Sequence, residues 1–97
     1  MFRHIVLFKY RADATTEQKT AVQDGLAGSP AAIPVIRSFV FGPDAGAAQG
    51  NFDFALVADF DSREDYLAYQ QHPVHVEFVT SSVRPIAEAR AAVQHEW

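Results

Sequence analysis

The chain has 97 residues, of which 48% are hydrophobic and 21% charged, a composition typical of one small globular domain. Its net charge of −4 and its eight scattered basic residues argue against nucleic acid as a partner, because phosphate binding needs clustered Lys and Arg. The chain has no cysteine, which excludes disulfides, Cys-ligated metals and a thiol nucleophile. It also has no apolar run long enough to span a membrane, so we expect a soluble cytoplasmic protein without membrane contacts.

The chain opens with a predicted strand followed by a predicted helix. Residues 2–10, FRHIVLFKY, are rich in β-branched and aromatic residues, which favours a strand. Thr15 followed by Gln18 fits a capping box and predicts the start of a helix. Gly28 and Pro30 are stop signals, so this helix is expected to end there.

Two further strands are predicted over residues 35–41 and 52–60, separated by a polar loop that contains glycine. The later of the two, FDFALVADF, is the clearest strand, because large apolar residues alternate along it. Ser62 with Asp65 resembles an N-cap pair and predicts a short helix.

Pro73 breaks that short helix and suits the first turn of another, expected to run to about Ser82. The tail, residues 85–97, is ambiguous, because Ala, Glu and Arg favour a helix whereas a strand ending at Trp97 is the competing prediction. With a strand there, the order becomes βαββαβ. We therefore predict an α+β, ferredoxin-like protomer with its helices on one face of an antiparallel sheet, formed as a single domain by residues 1–97.

Both faces of the predicted sheet are apolar. Opposite the face that the helices cover, the first strand presents Ile5 and Leu7, and the third strand presents Ala55 and Val57. A sheet with a dry second face needs another layer, and the chain has no residues left to supply one. We therefore expect a homodimer that packs sheet against sheet about a two-fold axis.

Two of the four histidines lie in YQQHPVHVEF, residues 69–78, and several roles are open to them. If Pro73 is the first helical residue, His72 is the N-cap and His75 lies in the first turn. The helix dipole and burial would both keep His75 neutral there, the form that a general base needs. The alternatives are a buried histidine bonded to a carbonyl and a metal ligand, for which no third protein ligand is evident.

The run FDSREDYLAYQQHPVH, residues 60–75, resembles the stress-responsive dimeric α/β-barrel (Dabb) family, as do HIVLFKY near the start and IPVIRSFVFGPD in the middle. The resemblance spans nearly the whole chain. It implies a ferredoxin-like protomer that dimerises into an α/β barrel, and it favours a strand for the tail. Most members of the family have no known reaction, so whether the chain is an enzyme stays open.

One plant branch of this family is similar to a polyketide cyclase, olivetolic acid cyclase. The resemblance implies that the base of that branch corresponds to His75, its assisting tyrosine to Tyr69, and its first-strand histidine to His4. It also implies a pocket between sheet and helices. The apolar wall of that pocket would be formed by Val6, Phe8, Val22, Leu26, Leu56 and Phe78.

Three functions remain open at this point. The first is a cofactor-free cyclase or isomerase that uses His75 as general base on an enolisable polyketide-like or aromatic molecule. The second is a stress-related binding module whose pocket holds an apolar small-molecule ligand without turnover. The third, from a neighbouring dimeric barrel family, is a cofactor-independent monooxygenase. The chain has no P-loop, dinucleotide fingerprint or Ser-His-Asp pattern, and we expect no cofactor.

Overall fold

A computed structural model describes residues 1–97 and shows four antiparallel strands in one sheet, with helices against one face. The elements are β1 Phe2–Tyr10, α1 Thr16–Ala32, β2 Ser38–Pro43, β3 Phe54–Phe60, α2 Arg63–Gln71, α3 Pro73–Phe78, a π-helical turn Val79–Val83 and β4 Ala87–Glu96. The sheet order is β2-β3-β1-β4, which confirms the predicted ferredoxin-like fold. None of the helices combines the length and apolar character needed to cross a membrane.

The first helix begins where predicted and ends later than predicted. Thr15 and Gln18 exchange the two hydrogen bonds of a capping box, at 3.1 and 2.9 Å. The predicted end is wrong, because α1 continues through Pro30 to Ala32. A proline in the last turn removes only one backbone hydrogen bond, and Ile33, only 1% exposed, anchors this turn in the core. Burial therefore outweighs the local stop signals.

The second and third strands begin later than predicted. β2 begins at Ser38 instead of residue 35, and β3 begins at Phe54 instead of residue 52. Asp53 lies outside β3 and makes two contacts with β1. Its N–H donates to the Phe8 carbonyl at 2.8 Å, and its carboxylate accepts from the Tyr10 N–H at 2.7 Å. Asp53 therefore anchors the end of β1.

The tail is a strand, β4, although its residues favour a helix. It pairs antiparallel with β1 along its whole length, with one bulge near Tyr10. At the far end Met1 and Trp97 exchange two hydrogen bonds, at 2.9 and 3.1 Å. Pairing with a distant strand thus overrides helix propensity, which is a weak preference.

The hydrophobic core lies between the helices and the side of the sheet that we call the inner face. It consists of two neighbouring clusters. One contains Val6, Phe8, Val22, Leu26, Phe54, Leu56, Val83 and Ile86. The other contains Phe2, Ile33, Ile36, Ala58, Phe60, Tyr66 and Tyr69.

The opposite side of the sheet, the outer face, carries no helix. One apolar residue from each strand forms a row across it: Val40, Val57, Ile5 and Val93. Leu7 and Ala55 pair in the neighbouring row. The apolar second face expected from the sequence is therefore present, and Val40 and Val93 are 64% and 63% exposed on it.

Candidate functional site

A cavity of about 480 Å³ lies between the inner face and the helices, where the two core clusters meet. Its volume is in the range of small-molecule sites, and most of its wall is apolar. The structure brings His4 from β1, Tyr69 from α2 and His75 from α3 into this one lining. Five of the predicted wall residues also line it: Val6, Phe8, Leu26, Leu56 and Phe78.

Val22 is the exception among the predicted wall residues. It lies one helical turn before Leu26, is 1% exposed and packs in the core beneath α1. Its side chain packs against the other residues of the core cluster and is not part of the cavity lining.

The break between α2 and α3 positions His75. His72 is the N-cap of α3, as predicted: its Nδ1 accepts a hydrogen bond from the Val74 N–H at 3.1 Å. Pro73 occupies the first helical position, where a backbone N–H is not needed. His75 then follows in the first turn, on the side that faces the cavity, whereas His72 does not line it.

His75 has one ring nitrogen free. Its Nδ1 lies 3.1 Å from the Gln70 carbonyl oxygen, and because a carbonyl only accepts, Nδ1 carries the hydrogen. In the neutral ring Nε2 then holds a lone pair, and no group of the chain hydrogen-bonds to it. Burial lowers the pKa of His75 below its usual 6.5, as expected, although the Gln70 hydrogen bond opposes this. His75 is therefore neutral at pH 7.

His4 has the complementary tautomer. The Gln94 side-chain nitrogen lies 2.9 Å from His4 Nδ1 and also donates to the Tyr66 hydroxyl at 3.1 Å. Because an amide nitrogen only donates, His4 Nδ1 accepts and its hydrogen is on Nε2. Burial lowers the pKa of His4 to about 4, and the charge of Arg90 acts in the same direction. His4 is thus a neutral hydrogen-bond donor.

Tyr69 contacts His75 directly, with ring centroids 4.3 Å apart. Its side chain is buried, yet its hydroxyl has no hydrogen-bond partner in the chain. The only fully enclosed side-chain atom without a partner is the Tyr10 hydroxyl oxygen, so the Tyr69 hydroxyl is open to the cavity. Burial raises the pKa of Tyr69, which keeps the phenol protonated and able to donate.

Several polar residues of this region were not predicted, and three of them bear on its chemistry. Gln94 orients His4, and Arg84 and Arg90 line the cavity. Gln94 and Arg90 lie on the inner face of β4, opposite His4 and Phe8 in the register. The only signal that could have found them is this register, which follows once the tail is placed as a strand next to β1.

The site therefore combines one base and two donors within an apolar wall. His75 Nε2 can accept a proton, while the Tyr69 hydroxyl and His4 Nε2–H can donate to an oxygen atom of a ligand. The structure contains no group of three or more His, Cys, Asp or Glu side chains that could hold a metal ion.

The stress responsive A/B barrel domain family matches residues 2–96 of the chain. A stress-response A/B barrel domain-containing protein of Arabidopsis thaliana is 29% identical over 80 residues, which cover 79% of this chain and 69% of that protein. A second such Arabidopsis protein is 30% identical over 93 residues, which cover 96% of this chain and 35% of that protein. The chain thus spans about a third of this longer relative.

Among solved structures, a dimeric ferredoxin-like protein of unknown function from Thermobifida fusca is 41% identical with a TM-score of 0.91, over 99% of this chain and 90% of that one. Hydroxynitrile lyase from Passiflora edulis is 21% identical with a TM-score of 0.85, over 97% of this chain and 90% of that one. At that identity the likeness to the lyase shows a shared fold alone.

Proposed function

The chain belongs to the stress-responsive A/B barrel domain family, and we propose that it is a cofactor-free enzyme that removes a proton from an enolisable carbonyl compound, with His75 as general base. The observation that carries the proposal is the free Nε2 of a neutral His75 in a cavity lining, with its other ring nitrogen held by Gln70. A fixed tautomer with one exposed lone pair is what proton abstraction requires.

The reaction balances without a redox partner. His75 Nε2 takes a proton from the carbon next to a carbonyl, and the C–H electron pair forms an enolate. The enolate oxygen accepts hydrogen bonds from the Tyr69 hydroxyl and from His4 Nε2–H, which offset its charge. In a cyclisation the enolate carbon attacks a second carbonyl of the same molecule, and the alkoxide takes the proton back from His75. In an isomerisation the proton returns to another carbon.

The environments of the two histidines support this division of roles. His4 cannot serve as the base, because Gln94 occupies its only lone pair and its pKa of about 4 makes it a poor proton acceptor. Tyr69 stays a phenol, because burial raises its pKa. The apolar wall favours an aromatic or polyketide-like body for the substrate.

The proposal includes a homodimer that packs outer face against outer face. The apolar row across the outer face supports it, as does the dimeric Thermobifida fusca protein, which is 41% identical over almost the whole chain. A solvent-exposed apolar face of this kind is typical of an interface. A partner sheet would complete the barrel and leave each cavity on its own protomer, because the cavity lies on the other side of the sheet.

The test is hydrogen–deuterium exchange at the carbon between ring and carbonyl of 2-tetralone, an enolisable aromatic ketone, followed by NMR in D₂O. We expect the protein to accelerate the exchange and His75→Ala to lose about 10²–10⁴-fold of that acceleration. His72→Asn is the matched control, because asparagine keeps the N-cap of α3 and position 72 lies outside the cavity. The rate should fall as the pH drops through a pKa below 6.5.

Three outcomes would contradict the proposal. If His75→Ala exchanges 2-tetralone as fast as the wild type, the base is another group. If the wild type binds 2-tetralone in the cavity without accelerating exchange, the protein is a binding module. If it consumes oxygen with a quinol and produces a quinone, the monooxygenase alternative is correct.

A further inference from the structure

We infer that the ligand of this cavity carries a carboxylate, and that Arg90, together with Arg84, binds it. This deepens the proposed function by naming acidic molecules as the substrate class. It rests on the proposed function only for the claim that the bound acid is turned over.

The basic residues outside the cavity all have partners within the chain. Five of the eight form ion pairs: Arg3, Lys9, Arg11, Arg37 and Arg63. Lys19 lies over the Tyr10 ring, with its Nζ 5.5 Å from the centroid. Arg84 and Arg90 alone have side chains with neither an ion pair, a hydrogen bond nor an aromatic partner, and both line the cavity.

No acidic side chain balances these two charges. The chain has twelve Asp and Glu residues against eight Lys and Arg, yet none of the twelve lines the cavity. Because His4 and His75 are neutral at pH 7, the two guanidinium groups are the only full charges in the lining. Arg84 and Arg90 are both exposed residues, so an anion can reach their guanidinium groups from solvent while its apolar body enters the cavity.

The charge of Arg90 is felt across the cavity. Burial is the main influence on the pKa values of four lining groups, lowering those of His4 and His75 and raising those of Tyr66 and Tyr69, and the positive charge of Arg90 acts on all four in the lowering direction. A guanidinium offers paired N–H donors that match the two oxygens of a carboxylate. A carboxylate on Arg90 would also leave His75, Tyr69 and His4 free for the carbonyl elsewhere on the same molecule.

The test compares 2-naphthoate with 2-naphthamide, which share a shape and differ in charge, by isothermal titration calorimetry on the intact protein. We expect the wild type to bind naphthoate at least about tenfold more tightly than naphthamide, from one charged hydrogen-bonded pair. Arg90→Gln should lose most of this preference, and the double variant R84Q/R90Q should lose all of it. Arg90→Lys should keep part of it. Naphthamide affinity should change much less than naphthoate affinity in each of them, because a neutral amide loses no charged pair.

Arg11→Gln is the control for loss of a positive charge, because Arg11 pairs with Asp13 on the surface away from the cavity. It should leave both affinities unchanged. Equal binding of naphthoate and naphthamide by the wild type, no naphthoate binding at millimolar concentration, or an unchanged preference in R84Q/R90Q would each overturn the inference. None of these results depends on turnover, so the 2-tetralone experiment can fail while this one succeeds, and the reverse.

Discussion

The inner and outer faces of the sheet are built from alternate residues of the same strands, yet they leave their polar groups in different states. On the inner side His4 of the sheet and Tyr69 and His75 of the covering helices keep atoms without partners in the chain, and these atoms border a cavity. On the outer face Arg3 and Asp59 form a two-bonded pair, at 2.7 and 2.9 Å. Polar atoms left free point to a ligand, whereas polar groups that satisfy one another suit a surface covered by protein.

The polar groups at the edge of the outer face are likewise bound to other groups of the chain. The Arg3 guanidinium lies 4.5 Å from the centroid of the Trp97 ring while it holds Asp59, which is only 7% exposed. An ion pair with two good hydrogen bonds can be buried without leaving an unpaired charge. The outer face thus combines an apolar row with a polar edge whose groups bind one another, and a charge placed in the apolar part should disrupt it.

Leu7→Asp should convert the proposed dimer to a monomer. Leu7 lies on the outer face, 37% exposed in the protomer, and a partner sheet would enclose its carboxylate replacement without a counter-charge. We expect the dissociation constant to rise at least about 100-fold, or roughly 3 kcal/mol, in sedimentation equilibrium. Leu67→Asp on α2 is the matched control, because Leu67 is 41% exposed on the helical side. A wild type that stays monomeric at micromolar concentration would contradict the dimer.

Gly25→Ala should disturb the layer that covers the inner face. A Cβ at position 25 would meet Cδ1 and Cε1 of the Phe78 ring, so either this ring, which lines the cavity, or one of the helices α1 and α3 must shift. We expect a loss of about 1–3 kcal/mol in the free energy of unfolding, measured by urea titration, together with weaker naphthoate binding. Gly28→Ala in the same helix meets nothing within 4 Å and should gain about 0.5–1 kcal/mol. Equal effects of the two substitutions would show that Gly25 has no special packing role.

The burial of His4 on the inner face should make stability depend on pH. Its folded pKa of about 4 lies below the unfolded value of 6.5, so the unfolded chain binds the proton first. The stabilisation is complete above pH 6.5 and is lost as the pH falls towards 4. Between pH 7 and 5.5 we expect a loss of about 1 kcal/mol in urea titrations, and a smaller slope for His4→Gln. An unchanged slope in His4→Gln would assign the effect to other groups.

Local signals in the sequence determined where several elements begin and which residues of the strands lie on each face of the sheet. The capping box at Thr15, the N-cap at Ser62 and the Pro73 start of α3 each act within a few residues, and the structure has all three. Alternation along β1 and β3 likewise separated the inner face from the outer one, because successive side chains of a strand point to opposite sides. Tyr69 and His75 were indicated by the resemblance of residues 60–75 to the family, together with the position of His75 in the first turn of a helix.

Only the tertiary structure decided the rest, because it depends on contacts between distant residues. β4 forms against its helix propensity through pairing with β1, and α1 passes Pro30 because Ile33 is buried in the core. The pairing of β4 with β1 also brings the Gln94 side chain within hydrogen-bond distance of His4 Nδ1, and this bond selects the tautomer of the imidazole. Arg90 also lines the cavity because β4 pairs with β1, whereas nothing in the sequence distinguished this basic residue from the others. Local patterns in the sequence do not identify such pairs, because the partners are far apart in the chain and meet only when the strands pair in the sheet.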